Sequence, residues 1–180
     1  MGITLTHYDD IKGVTESKYE RVQHLVEKNI LQTVNYINDG YRIAEKQLNE
    51  EMEKYTGVML EKYQNNPEVM EWDLEEMKKD FGNYDIYIID SDLKIIKTTF
   101  KEDLGLDFSR FGSFSKVLRE RLEGDSFVVD RLDLATQTGD IKKYSYMPTP
   151  DNEYLLELSI KVQDIFPSLE RLDIFGDARW

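Results

Sequence analysis

Cysteine is absent from all 180 residues, which excludes disulfides, thiolate metal sites and cysteine nucleophiles. The compartment stays open, because a domain with an adequate core needs no disulfide on either side of a membrane. Histidine is scarce: His7 sits in a polar lead-in and His24 in a helical pattern, neither beside a nucleophile in sequence. A serine–histidine catalytic system is therefore not expected. No apolar run approaches the roughly 20 residues that cross a bilayer, and no signal-peptide pattern precedes the first helical stretch. The chain as it stands is expected to be soluble. The start Met1-Gly2 before a polar lead-in also suits a piece cut from a longer membrane protein.

Basic residues are few against acidic ones, 23 to 36, for a formal charge of −13. So acidic a surface repels phosphate backbones and anionic headgroups, which argues against nucleic acid and direct lipid binding as partners. Its simplest role is solubility. There is no Walker-type phosphate loop and no glycine-rich dinucleotide fingerprint, so no cofactor is expected. Asp90-x-Asp92 matches the opening of a calcium loop, but the glycine and the downstream acidic ligand are missing, and a turn is the better reading. Carboxylate pairs such as Glu50-Glu51 and Glu75-Glu76 read as a solvated helix face. No catalytic set and no metal site is expected.

What is present is enough apolar side chain, 40%, with 12% aromatic, to pack one globular core. The organising stretch is 84–100, YDIYIIDSDLKIIKTTF. Ile86-Tyr87-Ile88-Ile89 is apolar on both alternating faces, as in a strand covered on both sides. Asp90-Ser91-Asp92 supplies a turn, and the β-branched run from Lys94 to Thr99 returns. Upstream, the lead-in to about Gly13 reads as irregular, and a helical stripe follows. It steps through Val22, Val26, Ile30, Val34, Ile37, Tyr41, Ala44, Leu48, Met52, Tyr55 and Met59. Over 15–59 such a helix is on the order of 65 Å long at ~1.5 Å per residue. That exceeds a small domain, so part of it is expected to overhang or to pack on another chain. Gly40 marks a candidate bend.

Asn66-Pro67 and Asp73 with Glu76 are two candidate helix starts, and Gly82 a helix stop. Ser109 or Ser113 is a candidate cap for an embedded helix through Phe114, Val117, Leu118 and Leu122, ending at Gly124. Three strands follow as a meander, at 126–134, 141–147 and 153–160, making five in all. The segment 161–180 is too apolar for a free tail. A sheet with a helix-and-loop cover on one face makes a natural pocket. Candidate ligand contacts are Tyr87, Thr98, Arg110, Phe114, Arg131, Tyr144 and Tyr146. An arginine there can hold a carboxylate through paired hydrogen bonds, and tyrosines can wall a small ligand. The plainer reading makes Arg110 and Arg131 surface ion-pair partners, and Tyr144 and Tyr146 core or edge packing.

The strings FGNYDIYIIDSDLKIIKTTFKEDLGLDFS, GDSFVVDRLDL and KKYSYMPTPDNEYLLELSI resemble the Cache-type, PAS-like extracytoplasmic sensor domains of prokaryotic transmembrane receptors, among them sensor histidine kinases, diguanylate cyclases and chemoreceptors. The resemblance covers about 72–160 and rests on the order and spacing of loose motifs. Leu93 stands where that turn often has a glycine. The resemblance implies an α+β fold, a long N-terminal helix packed on a five-stranded antiparallel PAS-like sheet with an embedded helix. It implies a helical extension over 1–71, a sensor core over 72–160, and a segment 161–180 that packs back or leads onward. It further implies an extracytoplasmic location, a small-molecule pocket on the sheet face opposite the long helix, and membrane attachment only through flanking segments, while the overhanging stripe points to a homodimer through the long helix. The amino-acid-binding pattern of some relatives cannot be matched position by position. Two other roles remain at this level: a ligand-free dimerisation module answering to a partner protein, and a small enzyme, for which no acidic residues converge at catalytic spacing.

Overall fold

The computed structural model describes residues 3–130, 133–134, 141–161 and 164. Whether 161–180 packs back or leads onward falls, apart from Lys161 and Asp164, outside the described residues, as does Arg131. The chain divides into two units, Met1–Leu48 and Asn49–Trp180. Helix α1 spans Ile3–Asn65, 63 residues, so helix replaces the irregular lead-in expected before Gly13, and it runs on through Gly40. Within the first unit the stripe residues Val22, Val26, Ile30 and Val34 stay about half exposed, at 58%, 50%, 57% and 47%. No helix among the described residues is long and apolar enough to cross a membrane.

In the second unit a short 3₁₀ turn, Val69–Glu71, stands where Asn66-Pro67 was expected to start an α-helix. Asn66 spends its side chain accepting from Glu68 N, and its carbonyl accepts from the Trp72 indole. Helix α2, Leu74–Phe81, starts at the other expected cap: Asp73 accepts from Glu76 N at 3.0 Å. It ends at Gly82, whose φ of +67° suits a residue without Cβ.

Strands β1 (Asp85–Asp90) and β2 (Ile95–Thr98) form the expected hairpin, with a register shift between Ile88 and Ile89. Asp90 Oδ1 closes the turn by accepting from Asp92 N and Lys94 N. Leu93 takes φ +64° there. A left-handed leucine costs ~1–2 kcal/mol, yet its side chain is fully buried, which returns ~1.5–3 kcal/mol. Burial outweighs the strain, so a leucine can hold a glycine-type position.

Helix α3, Ser113–Leu122, is the embedded helix, but neither expected serine caps it. Gly112 precedes it at φ +53°, and Ser109 belongs to a separate 3₁₀ turn capped by Asp107. The expected strand over 126–134 is split into β3 (Val128–Val129) and β4 (Asp133–Leu134). Strands β5 (Ile141–Pro148) and β6 (Tyr154–Lys161) follow. The sheet is antiparallel, in the order β2-β1-β6-β5-β3, with β4 pairing further along the same β5 edge, so five positions are filled. The α+β class expected from sequence is the class observed.

The two faces follow from strand alternation. One carries Ile86, Ile88, Leu156, Leu158 and Ile160, all buried. The 49–65 portion of α1 lies on this side, with Met52, Thr56, Met59 and Tyr63 buried. Tyr55 stacks on Phe81 and meets Tyr84, while Tyr63 meets Trp72 and Tyr154. The other face carries Tyr87, Ile89, Tyr146 and Leu155, which pack with Leu118 and Leu122 of α3. Asn152, at φ +59° in the β5–β6 turn, donates to the Leu122 and Gly124 carbonyls and ties α3's end to the sheet.

Candidate functional site

The α3 face of the sheet holds charge that a dry core does not require. Glu157, central on β6, lies directly opposite Tyr87 of β1 and Tyr146 of β5. It is 3% exposed, and its Oε2 has no hydrogen-bond partner among the described residues. Burial pushes its carboxyl up to about 8, with repulsion from Asp103 adding to the shift and Lys142 and Arg121 opposing it. An uncharged carboxylic acid is therefore its ordinary form at neutral pH.

Around it the neighbours are polar and held. The Tyr87 hydroxyl donates to Asp103 Oδ2 at 3.3 Å and accepts from Ser159 Oγ at 3.5 Å. Asp103 enters from a 3₁₀ turn, Lys101–Asp103, just after β2. Burial raises its carboxyl, and Lys142 and the Tyr87 bond pull it back. Lys142 of β5, 1% exposed, places Nζ 3.8 Å from the Phe100 ring centre, a cation–π contact in a desolvated setting. Arg121 of α3 lies over the Tyr146 ring at 4.3 Å and grips Asp130 with both guanidinium ends, Nη1 to Oδ2 at 2.9 Å. Burial drives the Tyr87 and Tyr146 hydroxyls far above the usual tyrosine range, so both remain protonated donors. The half-buried rim is aromatic: Phe100, Phe108, Phe114 and Tyr144, with Phe114 edge-on to Phe108 at 5.4 Å.

Four of the seven residues proposed from sequence come together here. Tyr87 and Tyr146 form the floor, and Phe114 and Tyr144 belong to the rim. Thr98 is buried opposite Tyr87, but its hydroxyl accepts from Phe100 N. Arg110 stands apart, 84% exposed and paired with Asp107 at 3.2 Å. The surface ion pair weighed for it is its role in this structure. Arg131 lies outside the described residues.

Glu157, Lys142, Asp103 and Arg121 were missed. Two of them had a readable signal. In EYLLELSI the alternation Leu155-Glu157-Ser159 puts a carboxylate on a core face. In IKKYSYM the step back from Tyr146 and Tyr144 reaches Lys142. Asp103 sits in a connector, where no periodicity applies.

No family model and no curated protein matches this chain. Among solved structures, one match is the extracellular domain of a protein described as a histidine kinase, rpHK1S-Z16. It has a TM-score of 0.47 and 13% identity, covering 70% of this chain and 56% of that one. The chain thus spans less than two thirds of that structure's length.

Proposed function

We propose that this chain is the ligand-sensing module of an extracytoplasmic receptor domain, non-enzymatic and of the Cache type. It binds a small molecule on the α3 face of its sheet. The observation that carries this reading is the buried, polar and aromatic α3 face itself, which lies where the sequence resemblance implies a pocket. A structural core would fill that position with aliphatic side chains, because a buried unpaired carboxyl oxygen costs several kcal/mol. Such groups persist at functional sites. The helix continuing beyond the sheet unit supplies the output: ligand binding biases two arrangements of the unit by its differential affinity for them. The half-exposed stripe of Val22, Val26, Ile30 and Val34 is partnered by the same stripe of a second copy.

A thermal-shift screen of the purified chain against small carboxylates, amino acids, amines, sugars and ions tests the reading. A saturable rise in midpoint is expected for one class, worth roughly 2.7 kcal/mol at a hundredfold excess over Kd. Tyr144→Ala should weaken it. A flat screen favours the second reading, a ligand-free dimerisation module. That reading draws on the near-complete burial of Tyr87, Tyr146 and Leu118, with which the chain fills this face itself.

A further inference from the structure

We infer that the α3-face site takes an organic ammonium ligand, and that the ligand's positive charge enters in exchange for the proton held by Glu157. The inference rests on the sensor reading above and names the ligand class of that same site.

Charge among the described residues does not balance at this site. The charged groups acting on Glu157 are Asp103, Asp130, Lys142 and Arg121. Arg121 and Asp130 neutralise each other through their paired hydrogen bonds. Asp85, at the far end of β1, is matched by Lys78 at 2.5 Å. Lys161 lies beyond Ser159 at the end of β6 and is itself engaged. Glu102, which also acts on Asp103, is exposed to solvent. That leaves Lys142 facing two carboxylates within the site, Asp103 and Glu157. The site is short of one positive charge, and a proton on Glu157 now supplies it.

The chemistry of the walls then selects the kind of cation. Apart from the two carboxylates, the site is walled by aromatic rings: Tyr87 and Tyr146 in the floor, the latter under Arg121, and Phe100, Phe108, Phe114 and Tyr144 at the rim, with Lys142 over Phe100. Aromatic faces with one or two carboxylates recognise organic ammonium groups better than hydrated metal ions, which demand several oxygen ligands. Among the described residues no group of three or more metal-ligating side chains occurs. The site already holds one ammonium in this manner, that of Lys142 over Phe100. Glu157 Oε2, buried and unpartnered, is the acceptor left for a second. A ligand would reach it past the half-buried aromatic rim, and opening that rim gives the binding event a conformational consequence.

The balance is simple: the protonated site and an ammonium ion give the ammonium-bound site and one proton released to solvent. Apparent affinity should therefore rise about tenfold per pH unit below pH 8 and level off above it.

The test uses the full chain with isobutylammonium and tetramethylammonium chlorides as probes. Sodium isobutyrate matches the first in size with opposite charge, and sodium chloride controls for ionic strength. Isothermal titration calorimetry at pH 7, in two buffers of different ionisation enthalpy, counts the protons. The expected result is ammonium binding with close to one proton released. Glu157→Gln, checked for folding by circular dichroism, should lose the proton release and weaken binding at least tenfold. Asp103→Asn removes the repulsion on Glu157 and should move the affinity plateau to lower pH. Ammonium binding without proton release, or unaffected by Glu157→Gln, overturns the inference. So does a panel in which isobutyrate alone binds, although the sensor reading then survives. If neither ion binds, the ammonium assignment fails, and the broader screen decides the sensor reading separately.

Discussion

At Glu157 the fold carries a cost that titrates with pH. Burial pushes its carboxyl up to about 8 in the folded chain, against 4.5 in the open one. The folded state thus holds an extra proton between those values. Its stability contribution is fully present below about pH 4.5 and is lost as pH rises through about 8. Glu157→Gln keeps the shape and removes the titration. Urea unfolding should show the two proteins diverging as pH rises from 5 to 8.5, with the variant more stable at the top. The difference should be on the order of a few kcal/mol. Parallel pH profiles would mean that Glu157 is already ionised at neutral pH. The buried Leu93 at φ +64° shows the opposite balance, strain outweighed by packing.

At the scale of elements, the site depends on where α3 is held. The helix is fixed at one end by the Asn152 bonds to the Leu122 and Gly124 carbonyls. At the other it leaves Gly112, at φ +53° and ψ −114°. A Cβ built there meets nothing within 4 Å, so the cost of a side chain is backbone strain and not collision. Gly112→Ala should destabilise by about 1–3 kcal/mol, read as a lower urea midpoint at unchanged slope. It should also loosen the aromatic rim that Phe114 shares with Phe108. An unchanged midpoint would show that the chain enters α3 by another route. The splitting of the third strand belongs to this scale too. β3 and β4 pair with β5 at separate places, and Asp130, just after β3, keeps its backbone N–H on the Tyr144 carbonyl while its carboxylate accepts from Arg121. The string SFVVDRLDL reads as one strand because its residue types favour extension.

At the scale of the whole molecule, the half-exposed stripe of α1 is the feature a lone chain leaves unpaid. Four β-branched side chains, Val22, Val26, Ile30 and Val34, repeat at helical spacing with about half their surface in water. If a second copy covers them, Val26→Asp with Ile30→Asp should turn a dimer into a monomer in sedimentation-velocity runs. The circular dichroism of the sheet unit should stay intact. A wild-type chain that sediments as a monomer across the micromolar range would remove the dimer from the proposed function.

Local periodicity was enough, by itself, to determine the long stripe of α1, the β1–β2 hairpin, the Asp73 cap, the Gly82 stop and the β5–β6 pair. These depend on contacts within a few residues or on one alternation rule, so composition and spacing carry them. The same rule placed Tyr144 and Tyr146 on one face of their strand. Only the tertiary structure decided what that face contains. Glu157 meets Tyr87 across 70 residues of chain, and Asp103 and Arg121 come from a connector and a helix with no shared period. Register between distant strands sets those encounters, and a one-residue slip would exchange Glu157 for Leu158. The charge count that marks the site is a sum over side chains brought together by folding, and no stretch of the sequence holds it.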